Sequence, residues 1–199
     1  MKSRFRIFSH ACAVLALLLA PHAQAQSSPS TSKDAVPIAQ VIAGTAKKTG
    51  KKFLVDPRVA GDVTVIGLDP DGLDYPTLLS VLQVHGFTAV DDGKYVRVVP
   101  DASARQLAIP MLTNDGSYAS AEYVTRVFSI KNVSAAMLVP ILRPLLPQQA
   151  HLVALPCKNN LLLVDTYANV KRLEKIVTAL DTGEPYTPEK CASPATKSN

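Results

Sequence analysis

Residues 52–65, KFLVDPRVAGDVTV, hold two apolar runs of strand type, separated by a turn that opens at Asp56-Pro57 and closes at Gly61-Asp62. Pro57 fixes its own φ, Asp56 is placed to hydrogen-bond into the turn, and Gly61 lets the chain re-enter as a strand. No histidine or cysteine adjoins Asp56 to make it a catalyst, so it reads as turn chemistry. The stretch exists to place two strands, and its neighbours decide which layer those strands join.

Upstream, Ile38, Val41, Ile42 and Thr45 form one apolar stripe of a short helix, with Pro37 suited to its first turn and Gly50 beyond its end. Downstream, a second helix from about Pro76 turns Leu78, Leu79, Val81 and Leu82 inward and stops at Gly86. Asp74 is placed to cap it. FTAV and KYVRVV then flank Asp91-Asp92-Gly93, a hairpin signal. Residues 34–100 thus read as helix, two strands, helix and hairpin.

Residues 101–121 lack sustained periodicity and carry Pro110 and Asn114-Asp115-Gly116, which predicts a linker. A second module is expected over 122–181. YVTRVFSI alternates as a strand, Ser134 is placed to cap a helix with Leu138, Ile141, Leu142 and Leu145 inward, and Pro140 and Pro144 bend and close that helix. HLVAL and NLLLVD form a hairpin around PCKNN. A last helix starts at Asp165 or Thr166, with Val170, Leu173, Ile176, Val177 and Leu180 on the sheet side and Lys171, Arg172 and Lys175 toward water. The fold class is α+β: two small modules with helices on incomplete mixed sheets, the second in the order strand, helix, strand, strand, helix.

The termini belong to neither module. Lys2, Arg4 and Arg6 precede the apolar run ACAVLALLLA, and AQA at 23–25 offers small residues for cleavage, so residues 1–25 read as a secretory signal peptide. Residues 26–33 read as a flexible leader and 182–199 as a polar tail. No further segment is apolar enough to span a bilayer. Three of the 21 basic residues leave with the signal, so 18 remain against 16 acidic ones. That balance lacks the basic stripe of a nucleic-acid binder. Cys157 and Cys191 survive in a compartment that oxidises thiols, where they are candidates for a disulfide or for two separate thiols.

Two stretches resemble the periplasmic N-terminal region of bacterial secretins, the outer-membrane gates of type II and related secretion systems. TGKKFLVDPRVAGDVTVIGLD followed by LLSVLQVHGFTAVDDGKYVRVVP is similar to the short domain shared by secretins and TonB-dependent receptors, down to its Asp-Pro-x-Val-x-Gly connector. VTRVFSI through ANVKRLEKIVTALD is similar to the next secretin repeat, which has a KH-like topology, including its Asn-then-apolar strand and its final helix. Secretins normally continue into a multimeric β-barrel, whereas only a polar tail follows Asp181, so a detached vestibule is expected rather than a pore. Secretin first domains also open with a strand, and SSPSTSKDAV is a poor one, so that edge is expected to be short or displaced.

The remaining polar clusters read as structural. Asp69, Asp71 and Asp74 around Gly72 lack the ligand positions and closing Glu of a calcium loop. His85 sits at a helix C-terminus. The KH-like order has no GxxG loop for RNA, its helix exit being RPLLPQQAH. No cofactor, metal, nucleic acid or enzymatic activity is expected.

The resemblance implies a periplasmic protein–protein interaction module. Its partners would be secretion components, namely an inner-membrane platform component, a secretin or cargo, together with other copies of itself. Asp62, Val63, Thr64 and Val65 are the candidate strand for the first contact, and Lys171, Arg172 and Lys175 the candidate face for the second. The alternatives are a signalling adaptor like the TonB-receptor domain and a small thiol hydrolase using Cys157, with His151 as the nearest base.

Overall fold

The computed structural model describes residues 35–113 and 116–187. The expected signal peptide and leader fall outside them, as do Cys191 and the tail beyond residue 187.

The opening strand is present and short. β1 (Ala35–Pro37) runs into α1 (Ile38–Thr49), followed by β2 (Phe53–Val55) and β3 (Asp62–Thr64). β1 and β3 pair antiparallel, with Val36 opposite Val63. Gly61 has φ +113°, a conformation open to glycine alone among ordinary residues, and its carbonyl accepts the first amide of α1 from Ile38 at 3.0 Å. α2 (Tyr75–Val84) follows, with Asp74 as N-cap accepting the Thr77 amide at 2.9 Å. β4 (Phe87–Asp91) and β5 (Val96–Pro100) form the hairpin, and β2 adds to β5 in parallel, giving a sheet of order β2-β5-β4. α1 and α2 close this core through Val41, Ile42, Leu78, Leu79 and Leu82 against Val96 and Val98. Gly44 lets α1 approach the 69–72 loop: a Cβ there would stand 2.7 Å from the Asp71 backbone.

Residues 101–121 do more than tether. α3 (Asp101–Ala104) buries Ala104, Ala121 joins the first core and Leu112 the second. Met111 forms a parallel bridge to Thr125 in β6 (Tyr123–Ser129). The amides that open the last helix, at Tyr167 and Ala168, donate to the carbonyls of Glu122 and Ser120. A linker without periodicity has thus become a set of backbone partners, which local pattern alone does not reveal.

After β6 come α4 (Ala135–Leu142), a 3-10 turn (Arg143–Leu145), β7 (His151–Leu155), a second 3-10 turn (Pro156–Lys158), β8 (Asn160–Thr166) and α5 (Tyr167–Leu180). The sheet order is β6-β8-β7, antiparallel throughout. α4 and α5 pack one face, joining Leu138, Leu142, Val170 and Leu173 to Phe128, Leu161 and Leu163. Three details differ from the sequence reading. Ile141 and Leu145 are exposed, because α4 is only two turns long and tightens after Leu142 into a 3-10 turn that rotates Leu145 outward. Leu180, at the end of α5, is also exposed. Ser134 stands at the N-cap of α4 but makes no side-chain cap bond.

That cap comes instead from Asn159. It is buried, sits in the left-handed region at φ +48°, and accepts the Ala135 amide on Oδ1 at 2.7 Å. Its Nδ2 donates to the carbonyls of Ile130 (2.9 Å) and Val133 (2.8 Å). From the other side Asp181 accepts the amides of Lys131, Asn132 and Val133. Burial pushes the Asp181 carboxyl up, and the three donors outweigh that push and hold it below the usual range. Asn159→Ala strips three backbone groups, two of them in buried bonds, of their partner and leaves an alanine in the left-handed region. We expect it to cost roughly 3–5 kcal/mol in urea unfolding. Asn159→Gly should recover about 1 kcal/mol of that and no more.

Candidate interaction surfaces

Asp56 answers to its turn. Its Oδ1 accepts the Arg58 amide and Nε, both at 2.9 Å, and its Oδ2 accepts Nη2 of the same residue at 2.9 Å. The Arg58 side chain first, then its amide, holds the Asp56 carboxyl at about 2. Both oxygens are used. The 69–74 carboxylates are spent similarly: Asp69 accepts the Asp71 amide, Asp71 accepts Gln40 Nε2, and Asp74 caps α2. Among the described residues no group of three or more His, Cys, Asp or Glu side chains is placed to hold a metal.

The candidate strand 62–65 divides by face. Val63 is 1% exposed and belongs to the core, so only Asp62 and Thr64 present side chains outward, while Val65 is half-buried just past the strand. Beyond it lies a surface that pattern reading missed. Thr64, Val65, Ile66, Leu68, Val81 and Val84 line a groove of about 250 Å³ between the exit of β3 and α2. Ile66 is 86% and Val84 82% exposed, and Leu68 is also exposed. The signal was present: VIGL continues the apolar run past the strand end, and Val84 lies off the Leu78–Leu82 stripe of its helix. Solvent-facing apolar side chains clustered around one groove mark an interaction surface.

The basic face of α5 is partly engaged within the chain. Lys171 bonds Glu174, and Arg172 Nη2 donates to the Leu145 carbonyl at 2.5 Å, holding the 3-10 turn; Lys175 is exposed. Glu174 also accepts from Arg126 at 2.9 Å, and these cations hold its carboxyl below the usual range.

A cleft of about 450 Å³ gathers Gln83, Tyr123, Gln149, Asp165, Asn169 and Arg172. Its acid is held by neighbours within the chain. Asp165 is fully buried, and its oxygens accept the Thr166 amide at 2.7 Å and Asn169 Nδ2. Burial pushes its carboxyl up, and Tyr123 rises for the same reason. Gln149 is likewise committed, donating to Asp101. Cys157 is disulfide-bonded, so it holds no thiolate, and the thiol-hydrolase alternative fails at its nucleophile. His151 is exposed on β7. The partner of Cys157 lies outside the described residues, as Cys191 does.

Comparison with known proteins gives this fold a family. Residues 33–98 match the family described as GspD-like, N0 domain, and residues 125–185 match the bacterial type II/III secretion system short domain. The two matches fall on the two hydrophobic cores in chain order. The chain belongs to the secretin family. It is 39% identical to Secretin XcpQ of Pseudomonas aeruginosa over 67% of its own length and 20% of that protein. It is 32% identical to Secretin PulD of Klebsiella pneumoniae over 88% of its own length and 27% of that one. Among solved structures it is similar, at TM-score 0.66 and 32% identity, to a chain of the Klebsiella pneumoniae type II secretion system outer membrane complex, described as PulD, PulS and PulC HR domain. That likeness covers 77% of this chain and 27% of the other. The chain therefore spans between a fifth and somewhat over a quarter of the length of these secretins. The matched region is the periplasmic N-terminal part of outer-membrane secretins, and the chain is a periplasmic, α+β secretin region. Secretins are structural transport proteins. Among the described residues no helix is long and apolar enough to cross a membrane.

Proposed function

We propose that this secretin region is a non-catalytic interaction module of a type II-like secretion apparatus, with residues 34–100 and 122–181 as two modules joined by 101–121. The observation that carries the reading is the pairing of two secretin matches in order with exposed apolar surface, beside carboxylates at 56, 69, 71, 74, 165, 174 and 181 that accept bonds within the chain. The related PulD structure is of a complex with PulS and the PulC HR domain, which supports a proteinaceous partner here. In this reading the groove at Ile66, Leu68 and Val84, with the outward side chains of Asp62 and Thr64 beside it, receives a partner from the inner-membrane side of the apparatus. Lys171, Arg172 and Lys175 flank contacts between copies.

A pull-down from periplasm and membranes with the tagged chain should recover secretion components. Ile66→Asp with Val84→Asp should reduce recovery at least about ten-fold while leaving the melting temperature within a few degrees, because both side chains are exposed. Recovery of no secretion component by the parent chain, together with normal export in a deletion strain, overturns the reading.

We further propose that Cys157 pairs with Cys191. The chain after α5 already turns back, with the Tyr186 amide donating to the Lys131 carbonyl at 2.8 Å beside the β7–β8 hairpin that carries Cys157. Neither cysteine should label with a thiol reagent until reductant is added, and reduction should cost about 3–4 kcal/mol of stability for a loop of this size. Labelling of Cys191 in the unreduced protein would contradict the pairing.

A further inference from the structure

The cleft of about 450 Å³ beside α5 contains a polar group to which the fold gives no partner. Tyr123, the first residue of β6, is only 5% exposed and lines the cleft, and no hydrogen bond engages its hydroxyl among the described residues. Two carboxylates, Asp165 and Asp101, act on that hydroxyl and together with burial push its ionisation up, yet neither accepts its proton. A hydroxyl so far out of water ordinarily finds a partner.

The rest of the cleft is rich in acceptors because its donors are already spent. Gln149 donates its side-chain amide to Asp101, Asn169 donates its own to Asp165, and Arg172 donates to the Leu145 carbonyl. The amide oxygens of Gln149 and Asn169 keep no partner among the described residues, and Gln83, exposed near the end of α2, uses neither end of its side-chain amide there. Each Asp165 oxygen takes one bond where it has room for two. The backbone amides that open α5 are no rival donors, since Tyr167 and Ala168 give theirs to Glu122 and Ser120. Charge agrees with this census: Asp165 and Asp101 outnumber Arg172, which leaves the cleft one positive charge short. Leu145, Pro147 and Ala168 add an apolar wall.

We propose that this cleft is a binding site for a cation borne on an alkyl stem, an ammonium or guanidinium group that donates to the Tyr123 hydroxyl oxygen and to the amide oxygens of Gln149 and Asn169 beside Asp165. Such groups carry three or five N–H donors and no acceptor, the complement of what the cleft presents. The stem lies along Leu145 and Pro147, as long cationic side chains do on apolar surface. Burial pushes the Asp165 carboxyl up, and a cation beside it offsets that push. An anion meets two carboxylates and almost no free donor, and an uncharged ligand leaves the charge unbalanced. Arg172, held by the Leu145 carbonyl, restricts the site to one cation. The volume suits a ligand the size of one side chain or a small amine. The same chemistry is carried by a free amine and by a Lys or Arg side chain of a partner, and the site stands independently of the function proposed above.

The test titrates the full chain, near neutral pH, with pentylamine and with butylguanidine, using pentanol as the uncharged control and reading the side-chain amide NMR signals of Gln83, Gln149 and Asn169. Both cations should bind saturably with a dissociation constant of about 1–10 mM, and pentanol should not. Tyr123→Phe deletes only the unpartnered hydroxyl and should weaken cation binding about ten-fold. Gln83→Lys brings a fixed positive charge to the rim from an exposed position and should weaken it at least about ten-fold. Both variants should melt within a few degrees of the parent, and the exposed position of Gln83 keeps the test decisive if Tyr123→Phe folds poorly. No saturable shift at about 50 mM of either cation, equal binding of pentanol, or binding that both variants leave unchanged would overturn the site. Where the cations bind, the pull-down names the source. Loss of one recovered component by Gln83→Lys assigns the cation to a partner's Lys or Arg side chain, and recovery equal to the parent's assigns it to a free amine.

Discussion

The second hydrophobic core is organised around one loop held from two sides. Residues 130–135 leave β6 and must enter α4 within a few positions, which leaves a run of backbone groups without helix or sheet partners between the buried Ile130 and Ala135. Asn159 satisfies three of them from the β7–β8 turn, and Asp181 satisfies three more from the end of α5. A buried polar group left unmatched there would cost about 1–3 kcal/mol. The two residues lie at opposite ends of β8 and α5 in sequence, so the clamp ties the hairpin, the last helix and the first strand into one unit.

That clamp determines what the molecule can offer to others. With α4 and α5 fixed on one face, the sheet leaves open its other face, the outer edge of β7 and the part of the β6 edge between Thr125 and Lys131. The first core closes equally well, and exposed apolar side chains collect where β3 gives way to the loop before α2. The carboxylates at 56, 69, 71, 74, 165, 174 and 181 all accept bonds that build turns, caps or ion pairs. Open backbone edges and exposed apolar patches are the surfaces on which the proposed recognition rests.

Much of this was legible in the residues because periodicity and turn chemistry are local. Asp74 as a cap, the hairpin at Asp91-Asp92-Gly93 and the Val170, Leu173, Val177 stripe needed no tertiary information. The Asn-then-apolar pattern at 159–161 was visible as a family feature, but its work was not, since its partners lie 24 to 29 positions away. Ser134 looked like a cap and was displaced by that distant amide. Residues 101–121 hid their role for a related reason: they contribute backbone groups to α5 and β6, and carbonyls leave no trace in side-chain pattern. The groove at Ile66 and Val84 left no local sign because it forms between two elements, each of whose own periodic stripe turns inward.

Amide hydrogen exchange on the dilute chain tests the central claim most directly, because it reads individual backbone groups. The account predicts slow exchange at Ala135, Ile130 and the amides shared between β6, β8 and β7, and fast exchange at the outward amides of β6 and β7 that have no backbone partner among the described residues. Outward amides as protected as their inward neighbours in the dilute chain, or an exposed amide at Ala135, would contradict it.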